Sequence, residues 1–401
     1  MTLSAGVLLA ACAAPPRGEP ALRATQTNAA GQPGADVVRV DVAENGIGGW
    51  PVYRIPALAV SNRGTLLAAY DGRPSLADLP AHIAVLLRRS IDGGRTWQAR
   101  QVVRDGPAPQ GFGAPSLLVD RDTGRIFLFY SAAVNNGIRK SARGNDPTNP
   151  NLAQADVSWS DDDGLTWQSR RLTAEIRDPS WWGGFFSSGQ GIQLTQGPHK
   201  GRLLQQYAVQ VGDEDHARQQ LRAVSIYSDD HGETWHAGQP VGPGMDENKV
   251  VELADGTLLL NSRPKGAGKA RLVAHSHDGG IHYDAPAPDR QLPDPGNNAS
   301  IIRVAPRADD ARAHWLLFSN TASIHQRRNL TLRLSCDDGR TWPRSRVLDA
   351  GSAAYSTLAM LPGGDIGLLY ERDDYRYLTF ARIDKQWLAA GCAEVSPTRS
   401  R

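Results

Sequence analysis

The chain has little net charge: its 44 Lys and Arg against 42 Asp and Glu leave +2 over 401 residues at pH 7. Phosphate binding needs a concentrated basic face, so this balance argues against a nucleic-acid partner. Cysteine is scarce, at Cys12, Cys336 and Cys392 only. No stretch of the body carries sustained 3.6-residue periodicity, which argues against a helical architecture. The one apolar run, near the N-terminus, is too short to span a membrane as a helix. Metal-site signatures are missing too. His275, His277 and His282 crowd together in sequence without one, and no metal or cofactor is expected.

What is present begins with Leu9-Ala10-Ala11-Cys12, followed by small residues and prolines. This reads as the tail of a secretory leader with a lipoprotein-type cleavage site, although Met1-Thr2-Leu3-Ser4 lacks the usual positive charge. Residues 1–35 are therefore taken as leader and flexible tether, with a lipid anchor at Cys12, and residues 36–401 as one body. The expected location is secreted or on the outer face of the cell membrane, as a monomer. In such a setting Cys336 and Cys392 read either as a disulfide holding the C-terminus or as two buried thiols.

A repeat dominates the body. Ser-x-Asp-x-Gly-x-Thr-Trp occurs at Ser90–Trp97, Ser160–Trp167, Ser228–Trp235 and Ser335–Trp342, with a degenerate copy at Ser276–Tyr283. Its chemistry is that of a turn: the Asp oxygens accept backbone N–H bonds, Gly takes positive φ, and the aromatic residue pins the turn to a core. Aspartates repeated in this way are structural, because near-identical copies cannot all be one active site. A second repeat, a turn followed by a short apolar strand, recurs at Asn62–Tyr70, Asp122–Tyr130, Lys200–Tyr207, Ala254–Asn261, His314–Phe318 and Gly363–Tyr370. Together they predict an all-β fold, a six-bladed β-propeller of four-stranded antiparallel blades, with Val37–Val42 closing the ring. A β-sandwich is the alternative, and it leaves the repeated boxes unexplained.

Polar residues then stand out where apolar ones would be easier to place. Arg54 lies inside an apolar strand in Tyr53-Arg54-Ile55-Pro56, Arg263 ends the strand Thr257–Ser262, and Arg327 begins another. Each alone reads as a structural ion pair. Three at the ends of inner strands from different blades converge on the axis, where guanidinium forks suit a carboxylate.

Arg-Ile-Pro near the N-terminus, the Asp-boxes and Tyr355-Ser356-Thr357-Leu358 resemble the exo-α-sialidases, especially the bacterial ones of glycoside hydrolase family 33. The resemblance spans nearly the whole body and implies sialylated glycans as substrates, in glycoproteins, glycolipids or oligosaccharides. It implies that Arg54, Arg263 and Arg327 clamp the substrate carboxylate and that Glu371 orients the first of them. Tyr355 matches the nucleophile. A neutral phenol can approach an anomeric carbon that bears a carboxylate, which would repel an anionic Asp or Glu. Glu247 matches the base that a phenol of pKa about 10 requires, with Glu252 and Asp246 as rivals. Asp78 matches the general acid/base, for which a water-poor pocket with a raised pKa is expected. Asp71 is read as orienting Arg73, and Arg73 as holding the loop or touching the glycone.

One position departs from the pattern: Ala114 stands in Gly113-Ala114-Pro115-Ser116 where the family usually carries Asp-Pro-Ser. The resemblance gives that Asp a contact near the substrate's 4-hydroxyl, which Ala cannot make. The loop Ser131–Asp156 is expected to overhang the pocket near the N-acetyl or glycerol arm. Trp181, Trp182, Phe185 and Phe186 are read as core or as a platform for the aglycone sugar. Transfer in place of hydrolysis, and a non-catalytic sialoglycan-binding propeller, are the rival readings.

Overall fold

A computed structural model describes residues 37–214, 219–265 and 269–389, together with the two-residue strand Leu22–Arg23. The fold is all-β, arranged as a propeller. Two of its sheets have four antiparallel strands each, Val52–Val60, Leu66–Arg73, Ala84–Ser90, Gln101–Arg104 and Met245–Glu252, Leu258–Pro264, Lys269–Ser276, Ala287–Asp294. Two more have five strands, and one has seven. Six separate four-stranded sheets are therefore not what the hydrogen bonds give. The cause is the 17-residue strand Arg344–Met360, whose first half pairs with Arg328–Ser335 and whose second half pairs with Ile366–Arg372. At the other end of that sheet, Val37–Glu44 pairs with Tyr377–Ile383, so the first and last strands of the body close on one another as expected.

The apolar runs are continuous, not alternating, because each sheet is buried on both faces. In Leu66–Tyr70, Leu66, Ala68 and Tyr70 pack with Leu369, Leu378 and Phe380 on one side, while Leu67 and Ala69 pack with Leu117, Leu128 and Tyr130 on the other. Period-two geometry thus sends neighbouring residues of one strand into two different cores.

The boxes behave as the sequence implies. At Ser90–Trp97, Asp92 accepts from the Thr96 hydroxyl at 2.6 Å and its backbone N–H at 3.0 Å, while the Ser90 hydroxyl accepts from Gly94 N–H at 2.9 Å. The degenerate box keeps the same wiring, with the His282 ring 2.7 Å from Asp278 in place of the missing hydroxyl. His282 is thereby structural. The glycine has a second duty that the sequence does not show. Gly94 has φ +87°, and a Cβ there would lie 2.1 Å from the Phe380 ring of the neighbouring sheet. Trp97 meets the same ring edge-on at 5.3 Å. Each box is both a turn and a joint between sheets.

Leu22–Arg23 pairs with Thr96–Trp97, so the segment read as a free tether is tied to the body at this point. The leader and Cys12 lie outside the described residues, as does Cys392. Cys336 is disulfide-bonded. No helix among the described residues is long and apolar enough to cross a membrane.

Candidate active site

A cavity of about 1150 Å³ opens at one end of the inner strands and is lined by Arg54, Arg73, Asp78, Ala114, Glu247, Arg263, Arg327 and Tyr355, among others. Seven of the eight site residues expected from the sequence meet here. The eighth, Glu371, lies immediately behind Arg54.

The strands deliver these side chains through β-bulges, which re-aim a residue out of the regular pleat. Register shifts fall between Arg54 and Ala57, Gly113 and Ser116, Met245 and Asn248, Arg328 and Leu330, and Ala353 and Ser356. Each adjoins or contains a pocket residue. In two of them the local cause is readable: Pro56 and Pro115 carry no N–H for the ladder, and the residues before them, Ile55 and Ala114, both have φ +62°. Positive φ on a β-branched residue is strained, of order 1–3 kcal/mol. It is held at Ile55 by a 2.8 Å bond from its N–H to Glu371. The strained residue then packs its side chain with Ala354 and Tyr355.

Glu371 is fully buried and organises one wall. Its carboxylate accepts from Arg54 Nε at 3.1 Å and Nη2 at 3.2 Å, and from the N–H groups of Ile55 and Tyr355. Burial, the largest single influence, works to lower the Arg54 pKa, but the charge and hydrogen bonds of Glu371 together with the neighbouring Tyr355 and Tyr375 outweigh it and keep the guanidinium charged. The alternative of a surface acid is thereby removed.

Tyr355 stands at the centre. Its hydroxyl accepts from Arg263 Nη1 at 3.0 Å, and the same Nη1 donates to Glu247 at 2.7 Å. Arg54 and Arg327 lie 5.3 and 5.4 Å from its ring centroid. Glu247 therefore reaches Tyr355 through a shared arginine nitrogen, and no direct bond joins the two among the described residues. Burial first, then the negative charge of Glu247, pushes the Tyr355 phenol above its ordinary range against the pull of three arginines. The phenol is neutral in this arrangement. Of the rivals, Glu252 accepts from Thr195 and Gln196 and does not line the pocket, whereas Asp246 does line it and accepts from the N–H of Glu247 at 2.9 Å.

The opposite wall is built differently. Asp71 is fully buried, accepts from Arg73 Nη2 at 2.7 Å and from Ala114 N–H at 3.0 Å, and is pushed up to about 6 by burial despite Arg73. Arg73 turns its remaining nitrogen to Asp78 at 2.9 Å. Asp71 thus orients Arg73, and Arg73 holds the loop. Asp78 itself is not in a water-poor setting, since its side chain is 79% exposed. It sits on the connection between Leu66–Arg73 and Ala84–Ser90, at the rim, where no sheet covers it.

Below the pocket, Lys249 is buried and donates to the Ser188 carbonyl and to Ser187 Oγ; burial pushes it down to about 7. Of the aromatic cluster, Phe185 lines the pocket, Trp181 and Phe186 are core, and Trp182 donates to the Gly212 carbonyl. Residues Asn135–Lys140 of the long loop line the pocket, as an overhang requires.

Sequence reasoning missed Tyr375, whose hydroxyl accepts from Arg327 at 3.1 Å and whose ring lies 4.4 Å from the Arg54 guanidinium. The available signal was an aromatic in the charged turn just after Glu371. Among the described residues, Asp120, Asp122 and His231 bring cation-ligating atoms together, away from the pocket. Both Asp120 oxygens already accept two bonds each, from Asp122 N–H, Gln193, Thr123 and His231.

Fold and site define a β-propeller with an arginine-walled pocket shaped to receive an anion, holding a tyrosine and acids on two sides. Residues 64–368 match the BNR repeat-like domain. The chain is 52% identical over 359 residues to a sialidase of Micromonospora viridifaciens, covering 88% of this chain and 54% of that protein. It is 32% identical over 346 residues to a sialidase of Bacteroides fragilis, covering 82% of this chain and 62% of the relative. The solved structure of Hadza microbial sialidase Hz136 superposes with TM-score 0.77 at 33% identity, over 87% of this chain and 70% of that one. The chain spans about half the length of the Micromonospora relative. It belongs to the bacterial BNR-repeat sialidase family.

Proposed function

We propose that the protein is a retaining exo-α-sialidase that hydrolyses terminal α-linked sialic acids from sialylated glycans, with Tyr355 as nucleophile. One observation carries the reading: the Tyr355 hydroxyl and the Glu247 carboxylate converge on a single Arg263 nitrogen, beneath Arg54 and Arg327. The three guanidinium groups take the substrate carboxylate, which orients the anomeric carbon over the phenol. Tyr355 Oη then bonds to that carbon as the glycosidic C–O bond breaks. The phenolic proton passes to Glu247, and Asp78 gives its proton to the leaving oxygen. In the second half Asp78 takes a proton from water, the water oxygen replaces the phenol, and Glu247 returns the proton to Tyr355. Two displacements preserve the α configuration. Because Asp78 is exposed, the bound glycan itself is what covers the acid.

The blade count belongs to the same proposal. We propose six blades, with Arg344–Met360 serving as the outer strand of one and the inner strand of the next, since its two halves pair with different strands. Export, with an anchor at Cys12, rests on the sequence motif alone.

Hydrolysis of a fluorogenic α-sialoside by the wild type and by Tyr355→Phe, with products followed by NMR, tests the reading. The expected result is α-sialic acid as first product and a loss on the order of 10³-fold or more in the variant, the scale of removing a nucleophile. A wild type that binds the sialoside without turnover would make the protein a sialoglycan-binding propeller.

A further inference from the structure

The pocket has more positive charge than the proposed chemistry uses. Arg54, Arg73 and Arg263 are each paired with a carboxylate, but Arg139 and Lys140 also line the cavity and form no ion pair among the described residues. Both are exposed, on the 3₁₀ turn Ile138–Lys140 of the long loop. This turn is fixed on two sides by close backbone approaches. A Cβ at Gly137 would lie 2.0 Å from the Leu79 carbonyl oxygen, and one at Gly183 would lie 1.9 Å from the Ile138 carbonyl oxygen. The first contact places the turn against the residue that follows Asp78. On the reading above, Asp78 protonates the leaving oxygen, so the aglycone departs on this side.

We propose that Arg139 and Lys140 form an aglycone subsite for a second anionic group, favouring substrates whose aglycone carries a carboxylate or a sulfate next to the scissile bond. Of the acids at this end of the cavity, Asp78 is paired with Arg73, and Asp246, which feels the charge of Arg139, is shared with the Glu247 N–H and with Arg263 at 3.9 Å, so the pair of cations is only partly offset. Two exposed charge pairs supply roughly a threefold to tenfold effect, weakened by salt. The inference rests on the sialidase reading for the direction in which the aglycone leaves.

The test compares kcat/KM for an α2,8-linked sialyl-sialyl-lactoside, an α2,3-sialyl-lactoside sulfated on the adjoining galactose, and plain α2,3-sialyllactose. The wild type should prefer at least one anionic aglycone over the neutral one by roughly threefold to tenfold at low salt. In an Arg139→Ser/Lys140→Ser variant the ratio should fall to about one. Preference for the disialyl glycan alone assigns the subsite to carboxylates, and preference for the sulfated one assigns it to sulfates. A ratio near one in the wild type, or one that survives in the variant, overturns the subsite. If no glycan is cleaved, the sialidase reading fails instead, and titration of the same three glycans against both proteins still decides the subsite by affinity ratio.

Discussion

The two walls of the pocket carry the same kinds of residue and are built in opposite ways. On the Tyr355 wall, Glu371 sits inside a sheet and bonds Arg54 twice and two backbone N–H groups, joining strands far apart in sequence. On the Asp78 wall, one arginine links a buried acid to an exposed acid at the end of a loop. The difference teaches where preorganisation is needed. A phenol becomes a nucleophile only when its surroundings are fixed and dry before substrate arrives. A proton donor can be completed by the substrate, which brings its own cover.

If the contrast is real, the largest effect should come from breaking the buried wall. Glu371→Gln leaves Arg54 buried with its charge uncompensated, and should lower unfolding free energy by about 3–5 kcal/mol. Chemical denaturation measures this, and a loss under about 1 kcal/mol would mean that the wall is not organised by this carboxylate. Next comes the exposed wall, where Asp78→Asn should leave stability unchanged and act only on chemistry. Cleavage of sialyllactose should drop roughly a hundredfold or more. A 4-nitrophenyl sialoside, whose leaving group needs no proton, should be far less affected in its first step. Equal losses on both substrates would show that Asp78 does not act as the acid.

The smallest effect concerns Asp71, between the two. Its carboxyl titrates near 6 when folded and near 4 when unfolded, so the folded state binds the extra proton between those values. Through this group, stability falls as pH rises from about 4 to 6 and is level above. Asp71→Asn removes that fall, so the Tm of the variant relative to wild type should climb over the same window. A flat difference would mean that Asp71 ionises freely.

The sequence was most informative where structure is local. Ser-x-Asp-x-Gly-x-Thr-Trp encodes its own hydrogen bonds within eight residues, so the turns and most strands were legible without any partner. The candidate site was legible through residue types in a known order, but its construction was not. Nothing near Glu371 in sequence says that it faces Arg54, because the choice between surface acid and buried clamp is made by a strand from the other end of the chain. The bulge at Ile55 was hinted at only by Pro56, and Tyr375 was hidden in a charged turn. The exposure of Asp78 went unforeseen because it depends on what does not pack over a loop. The seven-stranded sheet arose from one long strand that repeat spacing alone cannot divide.

The central claim is that Tyr355 becomes covalently bonded to the sugar. Incubation with a sialosyl fluoride carrying a second fluorine beside the anomeric carbon slows both steps and the second most, so the intermediate accumulates. Peptide mass spectrometry should then find the sialosyl adduct on Tyr355, and none in Tyr355→Phe. An adduct on Glu247 or Asp78, or rapid turnover with no adduct on any residue, would contradict the account.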